Sequence, residues 1–586
     1  MEMNRRSFIA AAGAASASLA AAAGTALADA PADQPADFAA QPTAGAAQPV
    51  ATGWRVAPAP IADDQIVETK EADFVVVGAA HAGGAVLRSI AEDSDHTVIG
   101  IERQARESFF TMGNDVGHMN SQFLRDHGIA DVDPVEMYND WMRRALNKAN
   151  PSLVMQFMQN CGADMDWWLS CFDDELVSKL TVPYSQHPES LLGEVSGFRY
   201  VTGTLRVCTA ENPDLNMSSM QQAIYDAILA QPNASIDFET TACQLEKDES
   251  GRVCAVIAQN ADGDYVRYTA NLGVVLAAGD FGGNEEMRNE LLTHITDCFQ
   301  PGETWSHIMA QDGSGIQMGV WAGGHIESRP IPCMNGDWVR GNYQAASIWL
   351  DETGSRYCNE FFGEMPFAGK PGANHPHVQT FAISDSKLAD NLLTTFSSHD
   401  AFEASDANIQ GVRDKLAGAI GTGAAGYCTP DDGSHPGAPK ADVGPVPDTF
   451  CADTLEELAA YMGYDDEQTA NMIASVQEWN ACCAAGVDTS FGKDPAALFP
   501  IDTPPYYAFT QNASMIGGLM VTLGGLVTDK HQNVLDDGCY PIPGLYACGN
   551  CCGQRFGVGY FTQTPGDSLG MCIVLGRELG KYLANM

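Results

Sequence analysis

Residues 71–103 read EADFVVVGAAHAGGAVLRSIAEDSDHTVIGIER. Residues 74–77 are a short β-branched run, as expected of a strand buried on both faces of a parallel sheet. The run meets Gly78-Ala79-Ala80-His81-Ala82-Gly83, and residues 84–91 then read as helix. Residues 97–101 form a second strand that ends at Glu102. The order is therefore strand, turn, helix, strand: a βαβ unit with a G-x-A-x-x-G turn where G-x-G-x-x-G is usual. The first glycine allows the tight turn, the small middle residue lets backbone approach a pyrophosphate, and the last glycine lets helix and strand pack closely. Ala80 keeps the middle position small. A pyrophosphate would sit on the helix N-terminus, where free N–H groups and the helix dipole favour anions. Glu102 follows Gly78 by 24 residues, the place of an acid that holds ribose hydroxyls. An ordinary glycine-rich strand–helix turn is the bland alternative, and it does not require the second strand or the acid.

Three further stretches extend the pattern. Residues 109–123 read FFTMGNDVGHMNSQF. Residues 252–284 carry two strand-like runs ending in AAGDFGGN. Residues 524–553 place a strand-like GLYA before Gly549 and Asn550. From about residue 72 to residue 586 the chain resembles the fumarate reductase/ketosteroid dehydrogenase superfamily of FAD flavoproteins. The resemblance implies an α/β fold: a split Rossmann-like FAD-binding domain with an inserted α+β cap domain. On that pattern residues 67–288 and 504–586 are the two parts of the FAD-binding domain, and residues 289–503 are the cap.

The resemblance also implies roles. Gly78, Ala82, Gly83 and Glu102 would hold the ADP half of a non-covalent FAD. Asn114, Asp115, Gly117 and His118 match the segment beside the flavin, with a hydrogen-bonded wall histidine as the plain alternative for His118. Cys243, in TTACQL, matches the strand that meets the adenine. Asn550 falls against the ribityl chain, and Gly566, Ser568 and Leu569 fall at a helix N-terminus aimed at the ring. Such a helix end favours negative charge on the ring.

Within the cap, Arg340-Gly341-Asn342 and Gly354-Ser355-Arg356-Tyr357-Cys358-Asn359-Glu360 match the segments that carry chemistry in the family. Arg340 takes the place of a proton-delivering arginine, although extra residues near Tyr343 separate it from the following strand. Arginine is a poor acid in water, with a pKa above ~12, and acts only when held against a developing carbanion. A surface or cap-stabilising arginine and a substrate-binding arginine remain the alternatives. The histidine and arginine that clamp dicarboxylates in fumarate reductases are replaced near Val521 and at Gln563, and Arg329-Pro330 stands at another family position. An unpaired carboxylate in such a cleft is costly. Tyr343, Gln563, Arg329 and Tyr560 are therefore read as contacts to a neutral, phenolic or mono-acid molecule, with Tyr560 placed to hydrogen-bond a carbonyl; the alternative for Tyr560 is a packing contact.

The start of the chain has a different character. Arg5 and Arg6 precede an Ala-rich apolar tract that ends in Ala26-Leu27-Ala28. A basic start, apolar middle and small-residue exit describe a signal peptide, and the arginine pair resembles a twin-arginine signal, an address for folded and cofactor-loaded proteins. Residues 1–28 are thus expected to direct export to the periplasm or cell surface. Residues 29–66, rich in Pro, Ala and Gln, read as a flexible linker. The tract is too alanine-rich for a membrane span, and none is expected in the mature chain.

Seventy-five acidic against thirty-one basic residues give a formal charge of −44, which opposes nucleic acids and anionic membranes. Seventeen cysteines are scattered without the spacing of a disulfide framework. Cys548, Cys551 and Cys552 form the one tight group, readable as buried thiols, a redox pair or half a metal site. No second C-x-x-C supports a metal, and none is expected. No haem motif or second flavin segment is evident, so an external electron-transfer partner, such as a membrane cytochrome, is expected beside a small-molecule substrate. The expected activity is reduction of an activated C=C bond in an organic electron acceptor other than fumarate. A ketosteroid-type dehydrogenase working in the opposite direction and a flavin electron-transfer protein are the two alternatives.

Overall fold

The computed structural model of the chain describes residues 53–183, 193–195, 198–209, 211–293, 306–307, 311–336, 343, 346–361, 379–394, 406–419, 424–427, 447–512, 518–561 and 563–586. Its centre is an eight-stranded sheet. Strand β1 (Ile66–Val77) leads into helix α1 (His81–Asp93), and strand β2 (Val98–Ile101) returns beside β1. Helices α2 (Pro134–Arg144), α3 (Pro151–Leu169) and α4 (Met217–Leu229) follow. Strands β3 (Ala234–Asp237), β4 (Thr241–Lys247), β5 (Val253–Gln259) and β6 (Tyr265–Leu276) complete the first part.

β1 lies between β6 and β2, parallel to both, with Val75 opposite Val274 and Phe74 opposite Val98. Side chains alternate across a strand. Phe74 and Val76 therefore pack with α1 and α4 on one face, while Val75 and Val77 pack with Val274, Leu276 and Ile316 on the other. The βαβ unit expected at residues 71–103 is present.

The second layer is an antiparallel five-stranded sheet: β7 (Ile348–Leu350), β8 (Gln379–Asp385), β9 (Ala424–Tyr427), β10 (Pro447–Ala452) and β11 (Tyr506–Asn512). Their order is β7-β8-β11-β10-β9. Helix α5 (Asp466–Ala485) packs against this sheet through Met472, Val476 and Trp479. The chain then returns to the first sheet through β12 (Asn533–Leu535) and β13 (Pro541–Ala547), the latter parallel to β6. Helix α6 (Asp567–Ala584) closes the chain against α1, so closely that a Cβ at Gly576 would lie 2.5 Å from the Ala82 carbonyl oxygen.

Two boundaries differ from expectation. β11 lies beyond residue 503 yet pairs with both β8 and β10 at the centre of the cap sheet. At the other end, Ile316 and Met318 belong to the core under the first sheet, so the insertion begins after this segment rather than at residue 289. The expected linker also ends early. Residues 29–52 lie outside the described residues, but Trp54 is buried, with its indole N–H donating to Glu290 at 2.7 Å and its backbone N–H to Glu286 at 3.0 Å.

Candidate active site

The turn between β1 and α1 is built from backbone. A Cβ at Gly83 would lie 1.9 Å from the Gly78 carbonyl oxygen, and one at Gly78, where φ is +93°, would lie 2.5 Å from the Ala277 oxygen. Gly78 N–H is tied to the Ile101 carbonyl at 2.8 Å. Glu102 accepts from the amides of Ala79 and Gln104, both at 3.0 Å, so the acid is positioned by the turn it follows. Glu102, Gly78, Thr240, Thr241 and Ala242 line a small cavity of about 80 Å³. Ala80, Ala277, Gly279 and Gln311 line both this cavity and a larger one of about 390 Å³, making an elongated groove over the start of α1.

Ala82, Asn114, Asp115, Asn550, Tyr560, Gly566, Ser568 and Leu569 line the larger cavity. They come from the start of α1, the segment at 114–115, the loops holding Asn550 and Tyr560, and the start of α6. Asn114 is clamped to Cys208, its Nδ2 donating to the carbonyl at 3.2 Å and its Oδ1 accepting the amide at 2.5 Å. Asp115 receives Arg206 through two bonds of 2.8 and 2.9 Å. Gly566, at φ +88°, caps α6, and a Cβ there would stand 2.2 Å from the Asp115 oxygen. Asp567 holds this start in place by accepting from the Gln563 and Thr564 amides and from the Thr564 hydroxyl. Burial pushes the Asp567 carboxyl up to about 7.

Other expected site residues go elsewhere. Gln563 is buried behind the groove, its amide donating to the Met137 carbonyl and to Asp140 at 2.8 and 2.7 Å. Arg329 is exposed and donates to the Glu290 carbonyl at 3.1 Å. Tyr343 packs edge-on against Phe509, 4.8 Å between centroids, inside the cap core. His118 is fully buried between the Val116 carbonyl and Ser121, off the groove, and burial lowers it to about 4. Gly83 and Gly117 serve close packing: a Cβ at Gly117 would meet the Asp567 amide at 2.6 Å. Cys243 is one residue too far along β4; the wall is Thr240 to Ala242, and the Cys243 thiol donates to the Thr241 carbonyl. Arg340 lies outside the described residues.

The match around Arg356 builds the cap. Arg356 donates to Glu360 at 2.8 and 3.0 Å and to Asp488 at 2.8 Å, and its guanidinium lies 4.6 Å from the Trp479 ring centroid. Lys493 completes this buried charge cluster 3.3 Å from Glu360.

The groove also contains residues not anticipated. Asp280 lines the larger cavity, 2% exposed, with Oδ1 accepting from Gly282 N–H at 2.7 Å. Burial raises its carboxyl to about 7. The sequence signal was present, an acid directly after a strand-ending Ala-Ala-Gly. His81 lines the cavity from the first turn of α1, with Nε2 3.2 Å from the Thr111 hydroxyl. Gln311 had no local signal; it stands just before the segment of Ile316 and Met318 that packs under the first sheet. Cys548, Cys551 and Cys552 are free, buried thiols, and burial pushes Cys551 and Cys552 up to about 12 and 11.

An elongated groove walled by alanine and glycine, with a side-chain-free turn at one helix start and a second helix start at the other end, fits an FAD molecule. Gly78, Ala82 and the first-turn amides of α1 would hold the pyrophosphate, Glu102 the ribose, and Asn114, Asn550 and the start of α6 the ring half.

Comparison with known proteins supports this fit. The profile of the family described as FAD binding domain matches residues 73–569. A vinyl phenol reductase of Lactiplantibacillus plantarum is 27% identical over 384 residues, covering 62% of this chain and 71% of that protein. A 4-oxocyclohex-2-ene-1-carboxylate 5-dehydrogenase of Sinomonas cyclohexanicum is 26% identical over 399 residues, covering 64% of this chain and 60% of that protein. The crystal structure of a 3-ketosteroid-delta4-(5alpha)-dehydrogenase from Rhodococcus jostii has the same fold, with a TM-score of 0.64 at 21% identity, over 90% of this chain and 100% of that one.

Proposed function

The chain belongs to the FAD binding domain family of FAD-dependent oxidoreductases, and from that premise we propose that it reduces an activated C=C bond of an organic electron acceptor other than fumarate. The observation that carries this reading is the wall of the larger cavity. Among the described residues it holds Met334, Val521, Leu569 and Tyr560 and no arginine or lysine. A dicarboxylate would meet no fixed cation on that wall and would lose its hydration without compensation. A neutral enone or a mono-acid suits it better. The relatives named vinyl phenol reductase and 4-oxocyclohex-2-ene-1-carboxylate 5-dehydrogenase support unsaturated cyclic or phenolic molecules as the substrate class.

Bound FAD supplies hydride transfer. The chain's own groups do the rest. The start of α6 directs its free amides and dipole at the ring end, favouring negative charge there. Tyr560 donates a hydrogen bond to the carbonyl that activates the substrate's double bond. Arg340 delivers the proton to the α-carbon. Electrons reach the site from an external protein partner such as a membrane cytochrome, and residues 1–28 direct export by the twin-arginine route.

The test is flavin reoxidation. Purified protein is reduced with viologen and offered a panel of enones, cinnamate-like mono-acids and fumarate. Reoxidation by an enone or mono-acid but not by fumarate is the expected outcome; silence across the panel refutes the reading. Tyr560→Phe is expected to lower kcat/KM by about tenfold, the loss of one hydrogen bond of about 1.4 kcal/mol. Arg5→Lys with Arg6→Lys should hold the protein in the cytoplasm. The Sinomonas relative, named a dehydrogenase of a cyclic ketone, favours a second reading, introduction of a C=C bond beside a ketone, which predicts dye reduction with saturated ketosteroids.

A further inference from the structure

Arg555 has no exposed surface. Its Nε donates to the Cys552 carbonyl at 3.1 Å, its Nη2 to Asn550 Oδ1 at 2.5 Å, and its Nη1 to Cys572 Sγ at 3.7 Å. Among the described residues no carboxylate lies within ion-pair distance of it. Two other buried arginine side chains are handled differently: Arg144 pairs with Asp140 at 2.7 Å, and Arg356 pairs with both Glu360 and Asp488, whereas Arg288, 6% exposed, donates to the Gly282 carbonyl and, like Arg555, has no ion pair among the described residues. Glu327 is a buried carboxyl that feels the Arg555 charge, but its two oxygens accept from the amides of Gly525 and Gln554, each at 3.0 Å, and not from the guanidinium. A guanidinium removed from water without a counter-ion is expensive, so something else must balance it.

Its position says what. Asn550 and Cys572, two of its three partners, both line the larger cavity. The cation is one side chain behind the wall of the ring half. We propose that Arg555 is a positioning residue for bound FAD, whose charge stabilises the reduced, more anionic ring over the oxidised one and whose Nη2 fixes Asn550. With Asn550 Oδ1 captured by the guanidinium, the Asn550 amide N–H groups are the atoms left to face the cavity, so the wall presents a donor there. Both effects act in the same sense, toward a more negative occupant.

The inference rests on FAD binding and not on the choice of substrate, and its test needs no turnover. The two-electron potential of bound FAD, and the affinity for oxidised FAD, are measured for wild type, Arg555→Gln and Arg555→Lys. Arg555→Gln is expected to weaken reduced FAD relative to oxidised FAD about tenfold, which for a two-electron couple is ~30 mV lower. Arg555→Lys keeps the charge and should hold that ratio within about threefold, even while both affinities fall because the three-point grip is lost. A purely structural arginine would lower both affinities equally and leave the potential unmoved in Arg555→Gln, which overturns the proposal. If Arg555→Gln fails to fold or to retain FAD, Arg555→Met takes its place: a ratio lowered about tenfold while Arg555→Lys stays near wild type upholds the charge effect, and an unmoved potential in Arg555→Met, or a tenfold loss in Arg555→Lys, overturns it.

Discussion

Gly83→Ala is a one-carbon change at the tightest point of the cradle. The new Cβ would stand 1.9 Å from the Gly78 carbonyl oxygen, 2.9 Å from its carbon and 3.2 Å from the Ala277 Cβ. Relief requires a separation of more than an ångström between α1 and the turn. The turn cannot retreat cheaply, because Gly78 N–H is bonded to Ile101 and Ala79 N–H to Glu102. Nor can α1 back away, because α6 packs on it with Gly576 against the Ala82 oxygen. Overpacking of a tight core costs about 1–3 kcal/mol, and here the clash falls on the surface that receives the pyrophosphate. If most of that cost appears as lost binding, FAD affinity falls about 10- to 100-fold, at 1.4 kcal/mol per decade. Flavin-free protein titrated with FAD, followed by flavin fluorescence, measures this. Gly411→Ala, on a helix surface with nothing within 4 Å, is the control and should stabilise by about 0.5–1 kcal/mol. Unchanged FAD affinity and melting temperature in Gly83→Ala would refute the reading of this turn.

Three further outcomes follow from the packing. The buried carboxyls of Asp280, Glu327 and Asp567, each raised by burial to about 7, contribute stability that is present at low pH and lost as pH rises through 7, since the folded state binds the extra protons. His81 and His118, lowered by burial to about 4, oppose this only below their unfolded value of 6.5. The flavin-free protein's melting temperature should therefore fall between about pH 6.5 and 8; a flat or rising curve contradicts the assignment, and Asp567→Asn should shallow the fall. Arg356→Met, which strands Asp488 and leaves Glu360 with Lys493 alone, should destabilise the cap by about 3 kcal/mol in urea unfolding, while FAD affinity stays within twofold. Gly566→Ala should lose the ring end of the site, with its Cβ 2.2 Å from the Asp115 oxygen, and is read as weaker FAD binding.

The return of the chain to its first sheet was legible because GLYA at residues 544–547 is a strand followed by glycine, and β13 does pair with β6. The cap boundaries were not. Nothing local in the residues of β11 distinguishes a strand of one sheet from a strand of the other; pairing with β8 and β10 decides it. Side-chain destinations were the least legible. Gln563, three residues before Gly566, turns toward Asp140 on α2, more than four hundred positions earlier.

By itself the sequence determined the βαβ unit, its turn and its terminal acid, because β-branched runs, a small-residue turn and a helical stretch are properties of backbone and near neighbours. The tertiary structure alone decided that Gln563, Arg329, Tyr343 and His118 leave the groove and that Asp280, Gln311 and the unpaired Arg555 attend it. Those outcomes depend on which distant carbonyl, carboxylate or ring each side chain meets, and residues far apart in the chain settle that only when they pack.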